Sequence, residues 1–255
     1  MILCILQARM SSSRFPGKVL KPLLGEPMLL RQIERVKLST LIDQLLVATS
    51  TTANDDLLVQ VCQDQDIDVF RGALEDVLDR FYQAALIYKP RQVVRLTGDC
   101  PLMDPVLIDN LISYHLENCF DYSSNTIEPT FPDGLDVEIF SFESLCQAWE
   151  EAELPSEREH VTQFMINRPK RFKLGNYKND TDLSHLRWTV DEELDYELVK
   201  IIFENLYPLN PHFSAEEVLA FLKTKPELNN INSCYIRNEG LLKSLKADQE
   251  YQKGK

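Results

Sequence analysis

The sequence predicts an α/β protein with a mainly parallel central sheet flanked by helices. Over the first 120 residues, short apolar runs alternate with longer amphipathic segments, which is typical of parallel strands joined by helices. The first apolar run, residues 1–6, has the length of a buried strand. At 255 residues the chain can form one large domain or two small ones. We expect residues 1–225 to form a single domain and residues 226–255 to form a polar tail.

The elements of this fold are predicted from apolar periodicity and from the residues that interrupt it. The expected strands are 2–6, 44–48, 68–70, 92–96, 121–123 and 137–140. The expected helices are 27–37, 54–65, 74–88, 105–118, 142–151, 156–167, 192–206 and 215–224. Residues 186–190 resemble a further apolar strand, and residues 124–136 lack periodicity and are predicted to form a long functional loop. In the tail we expect weak packing and a short helix at most.

Local chemistry supports two of the predicted helix starts. Pro27 and Pro105 stand where helices should begin, a position that tolerates proline because the first helical N–H has no partner within the helix. Asp104 directly precedes Pro105, so its side chain can act as the N-cap of the helix at 105–118.

The loop after the first predicted strand, residues 7–18, is rich in groups that bind phosphate. It carries two arginines, one lysine, three serines and a Pro-Gly turn within twelve residues. Arginine forks grip phosphate oxygens, lysine adds a point charge, and the N–H groups of a tight turn complete such a site. The loop is neither a Walker A nor a dinucleotide motif, and the alternative is a loop that is merely basic. Its candidate nucleotide-binding residues are Ala8, Arg9, Ser12, Ser13, Arg14 and Lys18.

The distribution of charge also directs attention to the beginning of the chain. The formal net charge is −13, whereas residues 1–40 hold seven Lys or Arg and two Glu, a local charge of +5. We expect no nucleic-acid binding, because that function requires a basic face, and we expect a small anionic ligand instead. A helix at 27–37 with a solvated basic face is the alternative, although it would account for Arg31, Arg35 and Lys37 and not for the loop cations.

Composition argues against other classes of protein. No apolar run approaches the roughly 20 residues that cross a bilayer, so we expect no membrane partner. The N-terminal apolar run is short and has no basic region before it, which argues against a secretory signal. The six cysteines are scattered and none stands at C-x-x-C spacing, a pattern typical of a reducing compartment without a disulfide framework or a zinc site. We therefore expect a cytoplasmic protein.

Two aspartates follow apolar runs where strands should end. Asp99 comes just after the fourth predicted strand and Thr97, and Asp191 follows the apolar run at 186–190. Ligands of such sheets sit beyond the carboxyl ends of the strands, so we expect Asp99 and Thr97 to lie beside the basic loop. Carboxylates there suit Mg²⁺ that bridges phosphate oxygens, and Asp99 and Asp191 are the candidate metal ligands. The alternative for each is a helix cap or turn residue.

Three other segments offer contacts for an acceptor or for a nucleoside. Residues 133–138 form a turn followed by alternating acidic side chains, and residues 156–162 begin a helix. The candidate acceptor-binding residues are Asp136, Glu138, Arg158 and His160. A surface helix start with a capping box from Ser156 to Glu159 is an equally good interpretation. Arg71 and Asp79 are candidates for the base or ribose, although an i,i+4 pair of Asp76 with Arg80 would explain part of that segment.

Taken together, these motifs resemble the cytidylyltransferase family that includes CMP-KDO synthetase and the acylneuraminate cytidylyltransferases, and within it the spore coat polysaccharide biosynthesis protein F branch. The matching segments extend in order over roughly residues 1–205. They are I-L-Q-A-R-M-x-S-x-R-x-P-G-K-V-L at 5–20, V-A-T-S-T at 47–51, F-R-G-x-x-x-D-V-L-D-R at 70–80, R-L-T-G-D-C-P-L-x-D-P at 95–105, D-G-L-D-V-E at 133–138, E-R-E-H-V-T at 157–162 and T-V-D at 189–191.

The resemblance implies a nucleotide-diphospho-sugar transferase fold of the GT-A-like, Rossmann-related type. It also implies CTP as donor, Mg²⁺ as cofactor, release of pyrophosphate, and a homodimer in which residues 124–180 serve as an acceptor and dimerisation lobe. By position, Arg9, Ser12, Arg14 and Lys18 match the family's triphosphate loop, and Asp99 and Asp191 match its metal-binding aspartates. Gln7 stands where the KDO and sialic-acid enzymes usually have proline, and this departure leaves the acceptor open.

The sequence therefore predicts a nucleotidyltransferase that moves CMP from CTP to a hydroxyl of a sugar acid or related acceptor in cell-surface polysaccharide or glycan biosynthesis. We expect Arg9, Arg14, Lys18 and Asp99 to be its catalytic residues. One alternative is a glycosyltransferase that consumes a nucleotide sugar, but the Asp-x-Asp spacing at 66–68 precedes its strand instead of following it. A non-catalytic nucleotide-binding protein is the other alternative, and the presence of the basic residues and both aspartates argues against it.

Overall fold

The structure is a computed structural model that describes residues 1–237 and 239–253. Its strands are β1 Ile2–Gln7, β2 Pro22–Leu23, β3 Glu26–Pro27, β4 Gln44–Ser50, β5 Asp68–Gly72, β6 Gln92–Thr97, β7 Tyr122–Ser124, β8 Glu138–Ser141 and β9 Leu174–Asn176. Its helices are α1 Met28–Val36, α2 Asp56–Gln63, α3 Val77–Tyr88, α4 Pro105–Asn118, α5 Phe142–Glu151, α6 Pro155–Glu159, α7 Gln163–Ile166, α8 Glu193–Leu206, α9 Ala215–Thr224 and α10 Glu239–Lys253.

In the described part of the chain, seven strands form one sheet in the order β5-β4-β1-β6-β8-β7-β9. Strands β5, β4, β1 and β6 run parallel to one another. Strand β8 is antiparallel to both of its neighbours, and β9 is parallel to β7. The predicted α/β class with a mainly parallel sheet is confirmed.

Both faces of the sheet are covered by helices, because successive side chains of a strand point to opposite faces. On β1, Leu3 and Ile5 join a core built with α3 and α5, whereas Cys4 and Leu6 join a core built with α1, α4 and α8. All four side chains are fully buried. The continuous apolar run at the beginning of the sequence thus serves two separate cores.

The order of the strands creates a crevice at the carboxyl end of β1. After β1 the chain builds β4 and β5 on one side and then returns to place β6 on the other side. The loops that follow β1 and β6 therefore diverge at a topological switch point, which is where sheets of this type bind ligands. The long segment between β7 and β8 was predicted to be a loop, and it contains no described helix or strand.

The predicted start of α4 is confirmed. The helix begins at Pro105, and Asp104 is its N-cap, accepting hydrogen bonds from the N–H groups of Val106 at 2.8 Å and Leu107 at 3.4 Å. The predicted start at Pro27 is wrong by one residue, because Pro27 is the N-cap of α1. The solvated basic face suggested for this helix is also wrong at Arg35, which is 2% exposed.

Residues 186–190 do not form the strand that their apolar pattern predicts. The segment makes one isolated β-bridge, between Arg187 and Asp133, and the N–H groups of Trp188 and Thr189 both donate to the carbonyl of Asp133. Such a close approach requires Gly134, whose φ is +107°, because a Cβ there would lie 2.3 Å from the Thr189 nitrogen. Tertiary contact therefore replaces sheet pairing in this segment.

Two predictions about helices are wrong, one for residues 156–167 and one for the tail. The helix predicted at 156–167 is divided into α6 and α7, and Val161 between them has a φ of 58°. The tail was expected to hold a short helix at most, but α10 spans 15 residues and packs against α6. Its Ser244 and Asp248 are buried, and Asp248 accepts hydrogen bonds from the backbone N–H and the hydroxyl of Ser156. The proposed capping box from Ser156 to Glu159 is not formed, because this hydroxyl is engaged elsewhere.

None of the helices in the described ranges is both long and apolar enough to span a membrane.

Candidate active site

Two adjoining cavities open at the carboxyl end of the parallel strands. The first cavity has a volume of about 440 Å³ and the second cavity about 500 Å³, both of a size that suits a small ligand. The residues that line both cavities are Gln7, Arg14, Thr97, Asp99, Asp191 and Gly240. The two cavities therefore share a wall built from the loops after β1 and β6 and from the segment before α8.

Most of the residues selected from the sequence line these cavities. The first cavity is lined by Ala8, Arg9, Ser12, Ser13, Arg14, Lys18, Thr97, Asp99 and Asp191. The second cavity is lined by Asp136, Glu138 and His160, together with the shared residues. The structure thus brings most of the candidate nucleotide residues and most of the candidate acceptor residues to the two sides of one wall.

Hydrogen bonds donated by backbone N–H groups hold the loop after β1 in its conformation. The N–H of Ala8 donates to the carbonyl of Ala48 at 3.1 Å, and the N–H of Gly17 donates to the carbonyl of Met10 at 3.0 Å. Gly17 has a φ of 71°, a conformation that glycine adopts without strain. The Ser12 hydroxyl accepts a hydrogen bond from the N–H of Phe15. Closure of this turn points Lys18 back toward the carboxyl end of β6.

Lys18 lies between the two strand-end aspartates. Its Nζ is 3.0 Å from Asp99 Oδ2 and 2.8 Å from Asp191 Oδ1. Burial lowers the pKa of Lys18, but the two carboxylates outweigh this effect and raise its pKa above the usual value. Burial likewise raises the pKa of Asp99, and the Lys18 ammonium reverses the effect and brings it to about 2. The Lys18 ammonium and the Asp99 carboxylate therefore remain ionised at neutral pH.

Arg14 forms the second link between the loop and the acidic residues. Its Nη2 is 2.9 Å from Asp191 Oδ1, its Nε is 3.6 Å from Glu192, and its Nη1 is 3.3 Å from Glu239 of α10. One cation of the loop thus contacts both the segment before α8 and the first residue of the C-terminal helix.

Asp191 is placed by a buried arginine and not by a helix start. Glu192, not Asp191, is the N-cap of α8, so the predicted capping role of Asp191 is wrong. Instead, Arg187 Nη2 lies 3.4 Å from Asp191 Oδ2, while the same guanidinium pairs with Asp195 at 2.9 Å and with Asp133 at 3.0 Å. This buried cation fixes three carboxylates around the shared wall.

Charged residues form an open ring of ion pairs, the charge ring, beside the second cavity. From Arg187 the ring continues through Asp133 to Arg237, whose Nε is 3.7 Å from Asp133 and whose Nη2 is 2.6 Å from Asp136. At the other end of the series, Glu239 forms an ion pair with Arg14, and Arg14 also pairs with Asp191. The described residues just before and at the start of α10 are therefore tied to the shared wall at two points.

The acceptor candidates in the second cavity have distinct environments. Desolvation in the cavity wall raises the pKa of Asp136 to about 7, although the Arg237 charge opposes this shift. Glu138 accepts from Tyr122 and Thr162 and forms an ion pair with Arg95. Burial and the Arg95 charge lower the pKa of His160, which lies 2.9 Å from the Ser244 hydroxyl. Asp136 is thus a carboxyl group of this cavity whose pKa lies near neutrality.

Three other selected residues are engaged outside the cavities as the described residues define them. Arg71 donates to the carbonyls of Ser50 and Thr52. Asp79 accepts from the indole N–H of Trp149 at 2.8 Å. Arg158 donates to both carboxylate oxygens of Asp76 and to the Trp149 carbonyl. The contacts of Asp79 and Arg158 connect α3 to α5 and α6.

The i,i+4 pair suggested for Asp76 and Arg80 is not formed, because Arg158 takes the Asp76 carboxylate and Arg80 is buried.

Sequence reasoning missed several residues of the cavities and of the charge ring. Arg80 and Lys243 line the first cavity, Arg95 lines the second, and Arg187 and Arg237 belong to the ring. Arg95 adjoins the strand end that carries Asp99, so proximity in sequence could have identified it. Arg237 and Lys243 have no comparable signal, because they reach the site only through the position of α10.

Asp99 and Asp191 are the residues that would hold a magnesium ion. The described residues contain no cluster of three or more His, Cys, Asp or Glu side chains that could hold a metal. However, Asp99 and Asp191 converge on the single Lys18 nitrogen, and Mg²⁺ is commonly held by one or two carboxylates together with substrate phosphates and waters. The donor set therefore fits an ion that arrives with a nucleotide.

Similarity to known proteins identifies the family. The cytidylyltransferase family model matches residues 3–227. The chain belongs to the cytidylyltransferase family. Spore coat polysaccharide biosynthesis protein SpsF of Bacillus subtilis is 35% identical to this cytidylyltransferase over 89% of the chain and 95% of its own length. A cytidylyltransferase structure from Leptospira borgpetersenii superposes with a TM-score of 0.85 at 32% identity, covering 89% of this chain and 95% of that one.

A more distant structure shares the fold of this cytidylyltransferase. CMP-2-keto-3-deoxy-manno-octonic acid synthetase in complex with CTP superposes with a TM-score of 0.63 at 16% identity, covering 80% of this chain and 98% of that one. The resemblance inferred from the sequence is confirmed at the level of the family and of the Rossmann-like nucleotidyltransferase fold, and the protein is a nucleotidyltransferase. The family match ends at residue 227, so Arg237 and α10 lie beyond it.

Proposed function

We propose that this cytidylyltransferase transfers CMP from CTP to a hydroxyl group of a sugar acid or related acceptor and releases pyrophosphate. The observation that carries the proposal is the shared wall. A basic loop and two carboxylates meet there, between a cavity lined by phosphate-binding groups and a second cavity lined by polar groups. In this arrangement the first cavity holds the nucleotide and the second cavity holds the acceptor, so that the reacting atoms meet at the wall.

The triphosphate replaces carboxylates as the partner of the loop cations. Arg14 pairs with Asp191, and Lys18 pairs with both Asp99 and Asp191. Phosphate oxygens carry more charge and accept the forked donors of arginine equally well. In the proposed complex, Arg9, Arg14 and Lys18 neutralise the charge that develops on the leaving pyrophosphate, and most of the rate enhancement comes from positioning and electrostatic stabilisation.

Asp99 and Asp191 would hold the magnesium ion. When bound, Mg²⁺ would supply charge neutralisation at the α-phosphate and lower the pKa of the attacking hydroxyl. Lys18, which lies between the same two carboxylates, would contribute its ammonium to the phosphates.

Transfer begins with attack of the acceptor oxygen on the α-phosphorus. The new bond joins that oxygen to phosphorus, the bond to the bridging oxygen of the β-phosphate breaks, and the electron pair leaves with pyrophosphate. We assign the acceptor proton to Asp136, because it lines the second cavity and its pKa of about 7 suits a general base at neutral pH. Glu138 and His160 complete the polar surface that orients the acceptor.

The proposed biological setting is the synthesis of a cell-surface polysaccharide or glycan. The name and 35% identity of the Bacillus subtilis relative support this setting.

We also propose a homodimer in which residues 124–180 form an acceptor and dimerisation lobe. Light scattering at several protein concentrations tests this point, and a monomeric mass throughout would reject it.

A pyrophosphate-release screen tests the reaction. Four nucleoside triphosphates are crossed with a panel of sugar acids and sugar phosphates, with Mg²⁺ present, and product is identified by mass spectrometry. We expect release with CTP and one class of acceptor, together with a CMP conjugate. Transfer from an intact nucleotide sugar without pyrophosphate would instead establish a glycosyltransferase, and nucleotide binding without turnover on any acceptor would establish a binding protein.

A further inference from the structure

Arg80 on α3 is a buried cation at the wall of the first cavity. The residue is 1% exposed and lines that cavity. Its Nη1 donates to the carbonyl of Ala73 at 2.6 Å and to that of Leu74 at 3.5 Å. Its Nε is buried and finds no hydrogen-bond partner within the described chain. A buried N–H without a partner costs free energy, so such a group calls for an explanation.

The charge of Arg80 is also unbalanced. Among the residues that the structure describes, no carboxylate lies within ion-pair distance of its guanidinium. The acidic residues whose charges act on the pKa of Arg80 are Asp55 and Asp76, and both carboxylates bind other groups. Asp55 accepts from the N–H groups of Met10 and Ser50, whereas Asp76 pairs with Arg158. Neither acidic side chain forms an ion pair with this buried positive charge among the described residues.

A second buried arginine, Arg35, shows that a donor without a partner does not by itself mark a ligand site, because its Nη1 is also buried and unpaired among the described residues. Arg35 is also buried and has no carboxylate partner among the described residues. Its guanidinium donates to the carbonyls of Met103 and Phe213 and lies 4.2 Å from the centre of the Phe213 ring. It borders neither of the two cavities as the described residues define them. Arg80 differs from Arg35 because it faces space that a ligand can enter.

Arg9 brings a second positive charge to the same wall. It lines the first cavity, and no ion pair of Arg9 is found in residues 1–237 and 239–253. Burial and then the nearby Arg9 charge lower the pKa of Arg80 to about 10. Two guanidinium groups repel each other in a partly dry site, and an anion between them removes both the repulsion and the unmet hydrogen bond.

We propose that Arg80 is a phosphate-binding residue of the first cavity and that it holds a phosphate group of the nucleotide together with Arg9. This inference rests on the proposed nucleotide-binding function and extends it, since Arg80 lies on α3 and not in the loop after β1. The carbonyls of Ala73 and Leu74 orient the guanidinium through Nη1, and Nε is a donor whose missing partner a phosphate oxygen would supply. A guanidinium held in this way loses little side-chain entropy on binding.

Binding measurements on Arg80→Gln test the assignment. Calorimetry gives the affinity for CTP and for inorganic tripolyphosphate, and NMR titration gives the affinity for cytidine. We expect the variant to lose about tenfold to a hundredfold in affinity for CTP and tripolyphosphate, the range for a charge-assisted hydrogen bond, and to bind cytidine like the wild type. Arg80→Lys keeps the charge and should recover part of the loss.

Comparison within one variant separates the outcomes. The ratio of CTP affinity to cytidine affinity does not depend on the folded fraction, so a loss of stability in Arg80→Gln does not obscure the result. An equal loss for CTP and cytidine would mean that Arg80 contacts the base and would overturn the assignment, as would unchanged affinity for CTP. If the wild-type protein binds no nucleoside triphosphate, the proposed function itself fails, and this inference fails with it.

Discussion

The two cavities recognise charge in different ways although they share a wall. In the first cavity Arg9 and Arg80 face the open space, and no carboxylate in the described residues pairs with either of them. At the second cavity Arg95 pairs with Glu138, and Arg237 pairs with Asp136. The unpaired cations of the first cavity suit an anion, whereas the basic groups at the second cavity are held in ion pairs among a larger number of carboxylates.

This difference explains why the sequence reveals the nucleotide more clearly than the acceptor. Excess positive charge is visible in composition, as the local charge of +5 over residues 1–40 shows. Paired charges leave no such trace, because Arg95 and Glu138, or Arg237 and Asp136, come from distant parts of the chain. The following predictions test this contrast.

The largest effect is expected at the shared wall. Asp99→Asn removes a carboxylate that contacts Lys18 and would hold Mg²⁺. We expect kcat to fall by about 10²–10⁴-fold, the scale of lost electrostatic stabilisation in a preorganised site. Steady-state pyrophosphate release measures the effect. Asp64→Asn, at an exposed aspartate just after α2, is the matched control and should retain normal turnover. Near-normal turnover of Asp99→Asn would reject the role of Asp99.

The second prediction concerns the pH dependence set by the second cavity. Burial raises the pKa of Asp136 to about 7, and a general base must be ionised to accept the proton. Activity should therefore rise with pH through about 7 and level off above it. Asp136→Asn should lower kcat by about 10²-fold or more and remove this limb of the profile. A profile with the same limb in the variant would assign the titration to another group.

A smaller effect is expected where the C-terminal helix touches the loop. Glu239 competes with a triphosphate for Arg14, which it contacts at 3.3 Å. Because exposed ion pairs contribute modestly, Glu239→Gln should tighten binding of CTP by about twofold to fivefold. Calorimetry measures the affinity, and Glu250→Gln on the same helix is the matched control. Equal affinities for the two variants would show that Glu239 does not compete.

The smallest effect on catalysis is expected at Arg158. Although the sequence suggests an acceptor contact, its guanidinium is bound to Asp76 and to the Trp149 carbonyl. Arg158→Gln should leave both KM values within about twofold of the wild type and lower the free energy of unfolding by about 1 kcal/mol. Kinetics and urea denaturation provide the two readouts. A large rise in the acceptor KM alone would return Arg158 to the second cavity in the complex.

Local pattern was sufficient for much of the fold and failed where long-range contact decides. Residues 2–7 and 92–97 are strands by their apolar character, and Asp104 caps α4 through groups two and three residues away. Residues 186–190 have an equally apolar pattern, yet they pack against Asp133 and Gly134 without forming a strand. The tail failed for a similar reason, because α10 gains its buried contacts from Ser156 and His160.

The sequence by itself determined the chemistry that this protein can offer. The positions of the main parallel strands, the basic loop at 7–18, Asp99 and Asp191 are all visible without coordinates, because each depends on residues close together in the chain. Only the tertiary structure decided which charged groups meet. Arg14 reaches Glu239 across 225 positions, and Asp76 pairs with Arg158 instead of with Arg80, which lines the first cavity. Charge pairing acts through space, so composition supplies the groups and the fold selects their partners.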